Sequence, residues 1–447
     1  MSTEKSDKVS RRKFLAAGGA AVVVVAAGGA YYALTSQAPK ATTTSAATTQ
    51  PFQLGILLPL TGTFADVAKT QRDGVLLAVK EANDAGGLNV GGSKMNITTV
   101  IQDDEANLDV GVRRFKEMVQ LNHIQGLIGQ TWVPMAYAMN EQVKTTPLPY
   151  FPVCVVSSDA LKQGTVSNRT WVGMMNTYSI GYAAAAYAIK NLGLKNIYFL
   201  ARSDSWGWDM EKGVNAAAKA LGGQVIGRDE APLGAPDFTP YLIKVANAKP
   251  DVFIFAQFAA DQTNVLKQAY AMGLGKNMKL FAAWLTNVAA AGVPPEALAG
   301  VYGLHFFYWD LTDFTGPSDV KQAAQQFVQN YQNAYGTPPD SYAAVAYLAT
   351  KELFRAIQLA GSTDADAISG ALLKNPAFNS VKGPATWRID HEPAYVYACN
   401  VVIGKAQADR KSTWDLLKVV GSYGGTDYLP SLSDLGYTTS ASTTSKT

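Results

Sequence analysis

Residues 54–88 read LGILLPLTGTFADVAKTQRDGVLLAVKEANDAGGL, and their pattern predicts the fold class of the chain. Its start belongs to a short apolar run, residues 53–59, which is typical of a strand buried on both faces. Residues 66–85 then place Val75 and Val79 on one face, as expected of an amphipathic helix. A buried strand followed at once by such a helix predicts the first unit of an α/β fold.

The same alternation continues outward from this unit. Further strands are predicted at residues 97–102, 124–129 and 150–156, and then at 197–201, 225–227, 252–256 and 279–283. Helices are predicted between them at 108–120, 133–144, 209–221, 240–248 and 261–272. Two successive sets of this kind predict an α/β protein with two doubly wound parallel-sheet lobes. Ligands of such sheets bind beyond the carboxyl ends of the strands, so the loops there are the candidate site.

The ends of the chain have a different composition. Residues 10–15 read SRRKFL, a twin-arginine pattern, and an uncharged run of 21 residues, 14–34, follows. Such a run is long enough to cross the ~30 Å apolar core of a bilayer. We therefore expect residues 1–34 to be a twin-arginine export signal, either cleaved or retained as a membrane anchor. No cysteine lies near the run, which excludes a lipobox anchor.

Two polar segments flank the lobes. Residues 35–51 and 438–447 consist largely of Thr, Ser and Ala, a composition that cannot bury enough apolar surface to offset the ordering entropy. We predict a disordered tether and a disordered tail at these positions. No second tether interrupts residues 52–437, and a single core usually stops growing at about 250–300 residues, which also favours two closely joined lobes.

Charge and reactive residues exclude several functions. Residues 1–50 hold six Lys/Arg and two Asp/Glu, a net of +4, so the rest of the chain carries 3 − 4 = −1. A nearly neutral body gives no electrostatic footprint for nucleic acid. Cys154, Cys399 and the three histidines show no metal-ligand spacing, so no metal site is predicted.

The predicted loops also carry a family resemblance. The stretch quoted first, with VIQDDEANLDVGVRRFKEMV and IQGLIGQ after it, resembles the first lobe of the leucine/isoleucine/valine-type periplasmic binding proteins, which have the type I fold. ARSDSWGWDMEKGVNAAAKALGG and SYAAVAYLATKELFRAIQLAG resemble the second lobe and a returning helix. The likeness covers residues 52–405. It implies a monomeric, extracytoplasmic solute-binding protein of an ABC importer for amino acids or similar solutes. Its partners would be a small-molecule ligand and a membrane permease, and it would have neither catalytic activity nor a cofactor.

The resemblance further implies three crossover strands between the lobes. We place the crossings near residues 172–176, 300–305 and 382–385. The first lobe would then comprise residues 52–173 and 303–383, and the second lobe residues 174–302 and 384–437. Cys154 and Cys399 would lie in different lobes, so a disulfide between them is not expected.

The ligand contacts are also implied by the resemblance. In the first lobe they are Gln130, Thr131 and Trp132 before the third helix, and Cys154, Val155 and Ser157 (or Ser158) after the next strand. In the second lobe they are Ser205 and Trp206, then Phe258, then Trp284 and Thr286. Thr131 is also compatible with a plain N-cap of the helix that follows it.

Two features of these loops predict the kind of ligand. Trp132, Trp206, Trp208, Phe258 and Trp284 all fall on them, which favours an apolar, aromatic or flat ligand, although each ring is equally compatible with core packing. Amino-acid-binding relatives often hold the ligand ammonium with an acid in the last loop, and this chain has no acid between Asp261 and Glu296. We therefore expect a carboxylate or amide head without a free α-amino group.

A second function is compatible with the same fold. A ligand-sensing receptor that reports occupancy to a membrane partner would use the same two lobes. An enzyme is disfavoured because no GxSxG, P-loop or GxGxxG motif stands at a strand-to-helix junction.

Overall fold

The computed structural model describes residues 50–438. The predicted export signal or anchor, almost all of the predicted tether and the tail lie outside these residues. No helix within residues 50–438 is long and apolar enough to span a membrane.

The first part of the chain forms a parallel sheet with helices on it. Its elements are β1 (Phe52–Leu58), α1 (Ala65–Asp84), β2 (Leu88–Val90), β3 (Ser93–Met95), β4 (Ile97–Asp103), α2 (Leu108–Gln120), β5 (Gly126–Gly129), α3 (Val133–Thr145) and β6 (Tyr150–Pro152). The strands pair in the order β4-β1-β5-β6, all parallel, and β2 and β3 form a separate hairpin. β1 and β5 are buried along almost their whole length, as their apolar runs predict.

The second part repeats this arrangement in a larger sheet. Its elements are α4 (Thr177–Lys190), β7 (Asn196–Arg202), α5 (Ser205–Leu221), β8 (Gln224–Ala231), α6 (Thr239–Ala248), β9 (Val252–Phe255), α7 (Ala260–Ala271), β10 (Lys279–Ala282), α8 (Asn287–Ala291), α9 (Pro295–Leu298) and β11 (Tyr302–His305). These strands are parallel to their neighbours in the order β11-β10-β9-β7-β8.

The last part returns to both sheets. Its elements are α10 (Ser318–Tyr335), α11 (Ser341–Ala360), α12 (Ala365–Lys374), β12 (Ala377–Ser380), β13 (Gly383–Trp387), β14 (Pro393–Tyr395), β15 (Cys399–Gly404) and β16 (Leu417–Tyr423). α11 packs on α1, β5 and β6, whereas β15 and β16 add antiparallel strands beyond β11 in the larger sheet. β12, β13 and β14 form a small antiparallel sheet.

Each large sheet with the helices packed on it is called a lobe below. The predicted α/β class with two doubly wound lobes is confirmed, apart from the antiparallel edge of the second sheet. The predicted lobe limits remain predictions. Two segments near these limits pack with the lobe to which they were not assigned. β11 pairs within the second sheet, and Trp387 of β13 packs edge-on against Trp171 beside the first, with ring centroids 5.2 Å apart.

The observed elements differ most from the predicted ones where a segment is buried on nearly all sides, because such a segment shows no amphipathic pattern. Helix α4 was not predicted, because TYSIGYAAAAYAIK is buried on nearly every side and shows no amphipathic stripe. The strand predicted at residues 150–156 ends at Pro152. Cys154 and Cys399 are both buried free thiols, and burial raises the pKa of each to about 12.

Candidate ligand-binding site

A cavity of about 450 Å³ lies between the two lobes, at the carboxyl ends of their strands. Cavities of about 300–1,000 Å³ are usual for small-molecule ligands. One wall comes from the first lobe and the other from the second, so a molecule inside would contact both.

The first-lobe wall is the start of helix α3. Thr131, Trp132 and Val133 line the cavity, and their backbone N–H groups have no hydrogen-bond partner among residues 50–438. Pro134, at the next position, has no N–H to satisfy. The Thr131 hydroxyl donates to the Gln71 amide oxygen at 2.5 Å, which fixes the loop and leaves the hydroxyl oxygen able to accept. Free N–H groups at a helix N-terminus suit a carboxylate.

The second-lobe wall includes the start of helix α7. Ala259 adopts φ 55° and ψ −125°, an unusual conformation for a residue with a Cβ, and turns the chain from β9 into α7. Asp261 follows, and its Oδ2 atom accepts from the Gly234 N–H at 2.9 Å. Its Oδ1 atom has no hydrogen-bond partner among residues 50–438. Burial raises the pKa of Asp261, and the positive charge of Arg202 partly opposes this.

A second polar group on this wall comes from the turn between β7 and α5. The Nε atom of Arg202 donates to the Asp204 Oδ2 atom at 2.7 Å, and the Asp204 Oδ1 atom caps α5 by accepting from the Trp206 and Gly207 N–H groups. A Cβ on Gly207 would lie 2.0 Å from the Arg202 carbonyl oxygen, so only glycine allows this turn to close.

Aromatic rings form the apolar part of the cavity. Phe258 lies between Trp206 and Tyr342, with ring centroids 6.2 Å and 6.1 Å away. The Trp206 indole N–H donates to the Ala256 carbonyl oxygen at 2.6 Å, which fixes its ring. Trp132 and Phe64 face the same space from the first lobe.

Five of the predicted contact residues line the cavity: Thr131, Trp132, Val155, Trp206 and Phe258. The other six do not line it.

In the first lobe the difference arises from side chains that turn inward. Gln130 has φ 66° and is fully buried, with its amide near the Leu57 carbonyl oxygen. Cys154 packs in an apolar cluster with Ala136 and Leu161. The Ser157 hydroxyl is hydrogen-bonded to the Tyr137 hydroxyl at 2.7 Å.

In the second lobe the predicted residues serve the scaffold. Ser205 begins α5 behind the capping Asp204. Trp284 is only 1% exposed and belongs to the core. The Thr286 hydroxyl caps α8 by accepting from the Ala289 N–H at 3.3 Å. Trp208 lies on the outer surface with its indole N–H on Glu230, so three of the five predicted aromatic residues reach the cleft.

The expectation of a ligand without a free α-amino group rested on the loop after β10, but two acids reach the cavity from other loops. Asp204 and Asp261 both line the cavity, together with Arg202. The prediction from the sequence concerned only the loop after β10. In the structure, Asp204 lies in the turn after β7 and Asp261 follows the turn after β9. Phe64 and Tyr342 also line the cavity and were missed. Phe64 lies in the loop after β1, for which no contact residue was named, and Tyr342 belongs to α11, far along the chain.

The described residues offer little for catalysis. Within residues 50–438 no three His, Cys, Asp or Glu side chains come together as a metal site. The hydroxyl nearest the helix N-terminus, that of Thr131, is bonded to an amide rather than to a base. The arrangement is suited to holding a polar molecule with an apolar body.

Comparisons with known proteins agree with this geometry. The family model of the periplasmic binding proteins matches residues 51–405. A Leu/Ile/Val-binding protein homolog of Brucella abortus is 21% identical over 336 residues, which cover 72% of this chain and 80% of the relative.

Solved structures show the same fold. A substrate-binding protein of an amino acid ABC transporter from Pseudomonas fluorescens is 22% identical with a TM-score of 0.76, over 87% of this chain and 99% of that one. A solute-binding protein of an ABC transporter from R. palustris, in complex with benzoate, is 21% identical with a TM-score of 0.68, over 84% and 96%.

Proposed function

Since the chain belongs to the periplasmic binding protein family, we propose that it is the solute-binding receptor of an ABC importer, which closes its two lobes around a small organic ligand. Family membership makes it an extracytoplasmic binding protein rather than an enzyme. The permease partner, the importing role and the ligand belong to the proposal, as do the monomeric state, twin-arginine export and the N-terminal anchor.

The observation that carries the proposal is the polarity of the cleft. Unpaired N–H groups of α3 lie on the first-lobe wall, and an unpaired carboxylate oxygen of Asp261 lies on the second-lobe wall. A ligand that satisfies both walls at once binds the closed state better than the open state. Such differential affinity is what drives closure.

The ligand that fits these walls is an amino acid with a large apolar or aromatic body. Its carboxylate would accept from the Thr131, Trp132 and Val133 N–H groups. Its ammonium would face Asp261, whose Oδ1 atom has no hydrogen-bond partner among residues 50–438. The body would lie among Trp206, Phe258 and the other rings, where each Å² of apolar surface buried contributes about 25 cal/mol.

The proposal is tested by paired ligands and one variant. Calorimetry would compare phenylalanine and leucine with 3-phenylpropionate and 4-methylpentanoate, which lack the amino group. An unpaired ammonium in a dry cleft costs several kcal/mol, so we expect the amino acids to bind at least tenfold more tightly only while Asp261 is present. Asp261→Asn should remove most of this preference.

The control is Asp313→Asn, which removes an exposed carboxylate and should leave the preference unchanged. Equal or tighter binding of the des-amino acids to the wild-type protein would refute the amino-acid assignment and favour an aromatic or aliphatic acid. Failure of all four compounds to bind would refute both the amino-acid assignment and the assignment of an aromatic or aliphatic acid.

A further inference from the structure

We infer that Arg202 determines specificity within the proposed site by favouring a ligand whose body carries a neutral hydrogen-bond acceptor, such as an amide or hydroxyl oxygen. This inference rests on the proposed function, since it names the kind of amino acid that the cleft prefers.

The guanidinium of Arg202 lies in the cavity wall with donors to spare. Its side chain is 12% exposed, and its Nε atom is paired with Asp204. Its two Nη atoms have no hydrogen-bond partner among residues 50–438. Its Cζ atom lies 5.2 Å from the centroid of the Trp206 ring, so the donors lie beside the aromatic part of the cavity rather than beside α3.

The guanidinium group of Arg202, called the fork below, is held in a fixed orientation. Asp204 uses one oxygen to cap α5 and the other to accept from Nε, so helix, carboxylate and guanidinium form one rigid unit. The close approach at Gly207 keeps the start of α5 against the end of β7, where Arg202 lies. A fixed fork loses little entropy when a ligand acceptor meets it.

Closure of the cleft makes these donors selective. In the open state water satisfies the Nη groups, but a closed cleft around an aliphatic ligand would remove the water and leave them unpaired. A site built to hydrogen-bond a ligand group rejects the analogue that lacks it far more strongly than it rejects a change of size. Arg202 therefore favours a ligand with an acceptor at this point.

The charge balance indicates that the acceptor is neutral. The positive charge of Arg202 is matched by Asp204 at 2.7 Å, and Asp261 adds a further negative charge that an ammonium would balance. A second carboxylate on the ligand would add an uncompensated negative charge to the same closed space. We expect carbonyl, amide or hydroxyl oxygens to be preferred over a carboxylate.

Isosteric ligands test the inference by calorimetry. Asparagine and leucine have side chains with the same number and branching of heavy atoms but differ in the amide. Tyrosine adds a hydroxyl to phenylalanine, and aspartate places a carboxylate where asparagine has its amide. In the wild-type protein we expect asparagine and tyrosine to bind at least about tenfold more tightly than leucine and phenylalanine, and asparagine more tightly than aspartate. Arg202→Met should reduce the first two ratios to within about threefold.

Two further variants make the outcome unambiguous. Arg202→Gln keeps a polar side chain without the fork and gives the same readout if the methionine variant does not fold. Arg228→Met removes an exposed arginine that pairs with Glu211 and Glu230, and should leave every ratio unchanged.

The outcomes separate the two proposals. In one outcome the amino acids bind and their binding depends on Asp261, but the affinity ratios of asparagine to leucine and of tyrosine to phenylalanine are near one or persist in both Arg202 variants. This outcome would overturn the specificity role of Arg202 and leave the proposed function standing. If binding does not depend on Asp261, the ligand assignment fails first, and a ratio that still depends on Arg202 would support the present inference alone.

Discussion

Lys382 carries a buried amino group in the turn between β12 and β13. Its Nζ atom donates to the carbonyl oxygens of Phe306 and Ala398, which lie just after β11 and just before β15. The ring of Phe306 lies 3.6 Å from Nζ and that of Tyr395 lies 5.5 Å away. Burial lowers the pKa of Lys382 to about 7, and no carboxylate among the described residues pairs with it.

This residue predicts a pH dependence of stability. A lysine with a lowered pKa binds fewer protons in the folded than in the unfolded chain between about pH 7 and its ordinary pKa of about 10.4. The free energy of unfolding should therefore rise with pH across this window. Lys382→Met should remove that part of the rise, measured by urea unfolding at several pH values.

The exposed Lys116→Met is the matched control and should keep the slope of the wild type. A slope in Lys382→Met equal to that of the wild type would show that the buried amine does not titrate in this range.

Two tryptophans of the predicted site separate binding from folding. Trp206 lines the cavity, so Trp206→Ala should weaken ligand binding by more than about tenfold, or ~1.4 kcal/mol. Trp284 is a core residue, so Trp284→Ala should lower the free energy of unfolding by about 3–5 kcal/mol, and the folded fraction should bind within about threefold of the wild type. Calorimetry and urea unfolding measure the two effects. A tenfold binding defect in folded Trp284→Ala would place that ring at the ligand after all.

At the scale of elements, the second lobe is assembled on a close helix crossing. A Cβ on Gly181 of α4 would lie 1.9 Å from the Met210 carbonyl oxygen of α5, and one on Gly213 would lie 2.0 Å from the Tyr178 carbonyl oxygen. The backbones of α4 and α5 are therefore in direct contact. Helix α5 packs against the turn that contains Arg202. The site therefore depends on this crossing although none of these glycines reaches the cavity.

A pair of glycine variants tests the crossing. Gly181→Ala should cost about 1–3 kcal/mol of stability, because backbone atoms cannot yield to the new methyl group. Gly370→Ala, in helix α12 with no heavy atom within 4 Å of the new Cβ, should instead stabilise the protein by up to about 1 kcal/mol. Thermal and urea unfolding give both values, and equal effects of the two changes would exclude the packing explanation.

At the scale of the whole molecule, the lobes are linked near one crossing by a buried carboxylate. Asp209 of α5 accepts from the Ser158 N–H at 2.7 Å and the Ser158 hydroxyl at 2.6 Å, and also from the Thr177 hydroxyl and the Tyr178 N–H. Lys212 adds an ion pair with Asp159 across the same junction at 2.9 Å. These contacts join the two lobes on one side of the cleft.

Hinge closure predicts compaction on binding. Small-angle scattering should give a smaller radius of gyration when the tightest ligand of the calorimetric panel saturates the protein, because the lobes close over the cavity. An unchanged radius at proven saturation would mean that the ligand enters a preformed cavity without domain movement.

The architecture could be predicted from the pattern of apolar residues along the chain. Buried strands alternate with amphipathic helices along the sequence. This alternation predicted the two lobes, the positions of most elements and the loops at the cleft. Thr131, Trp206 and Phe258, which line the cavity, lie two to four residues after the ends of β5, β7 and β9, where the topology brings loops together.

Which side chains line the cavity depends on how the chain folds in three dimensions. The backbone at Gln130 has φ 66° and the Gln130 side chain is buried, whereas the turn at Ala259, with φ 55°, precedes Asp261, which lines the cavity. Trp284 packs in the core. Tyr342 comes from a helix far along the chain, so no local pattern could place it. The direction of a side chain depends on backbone angles and long-range packing, which hydrophobic periodicity does not specify.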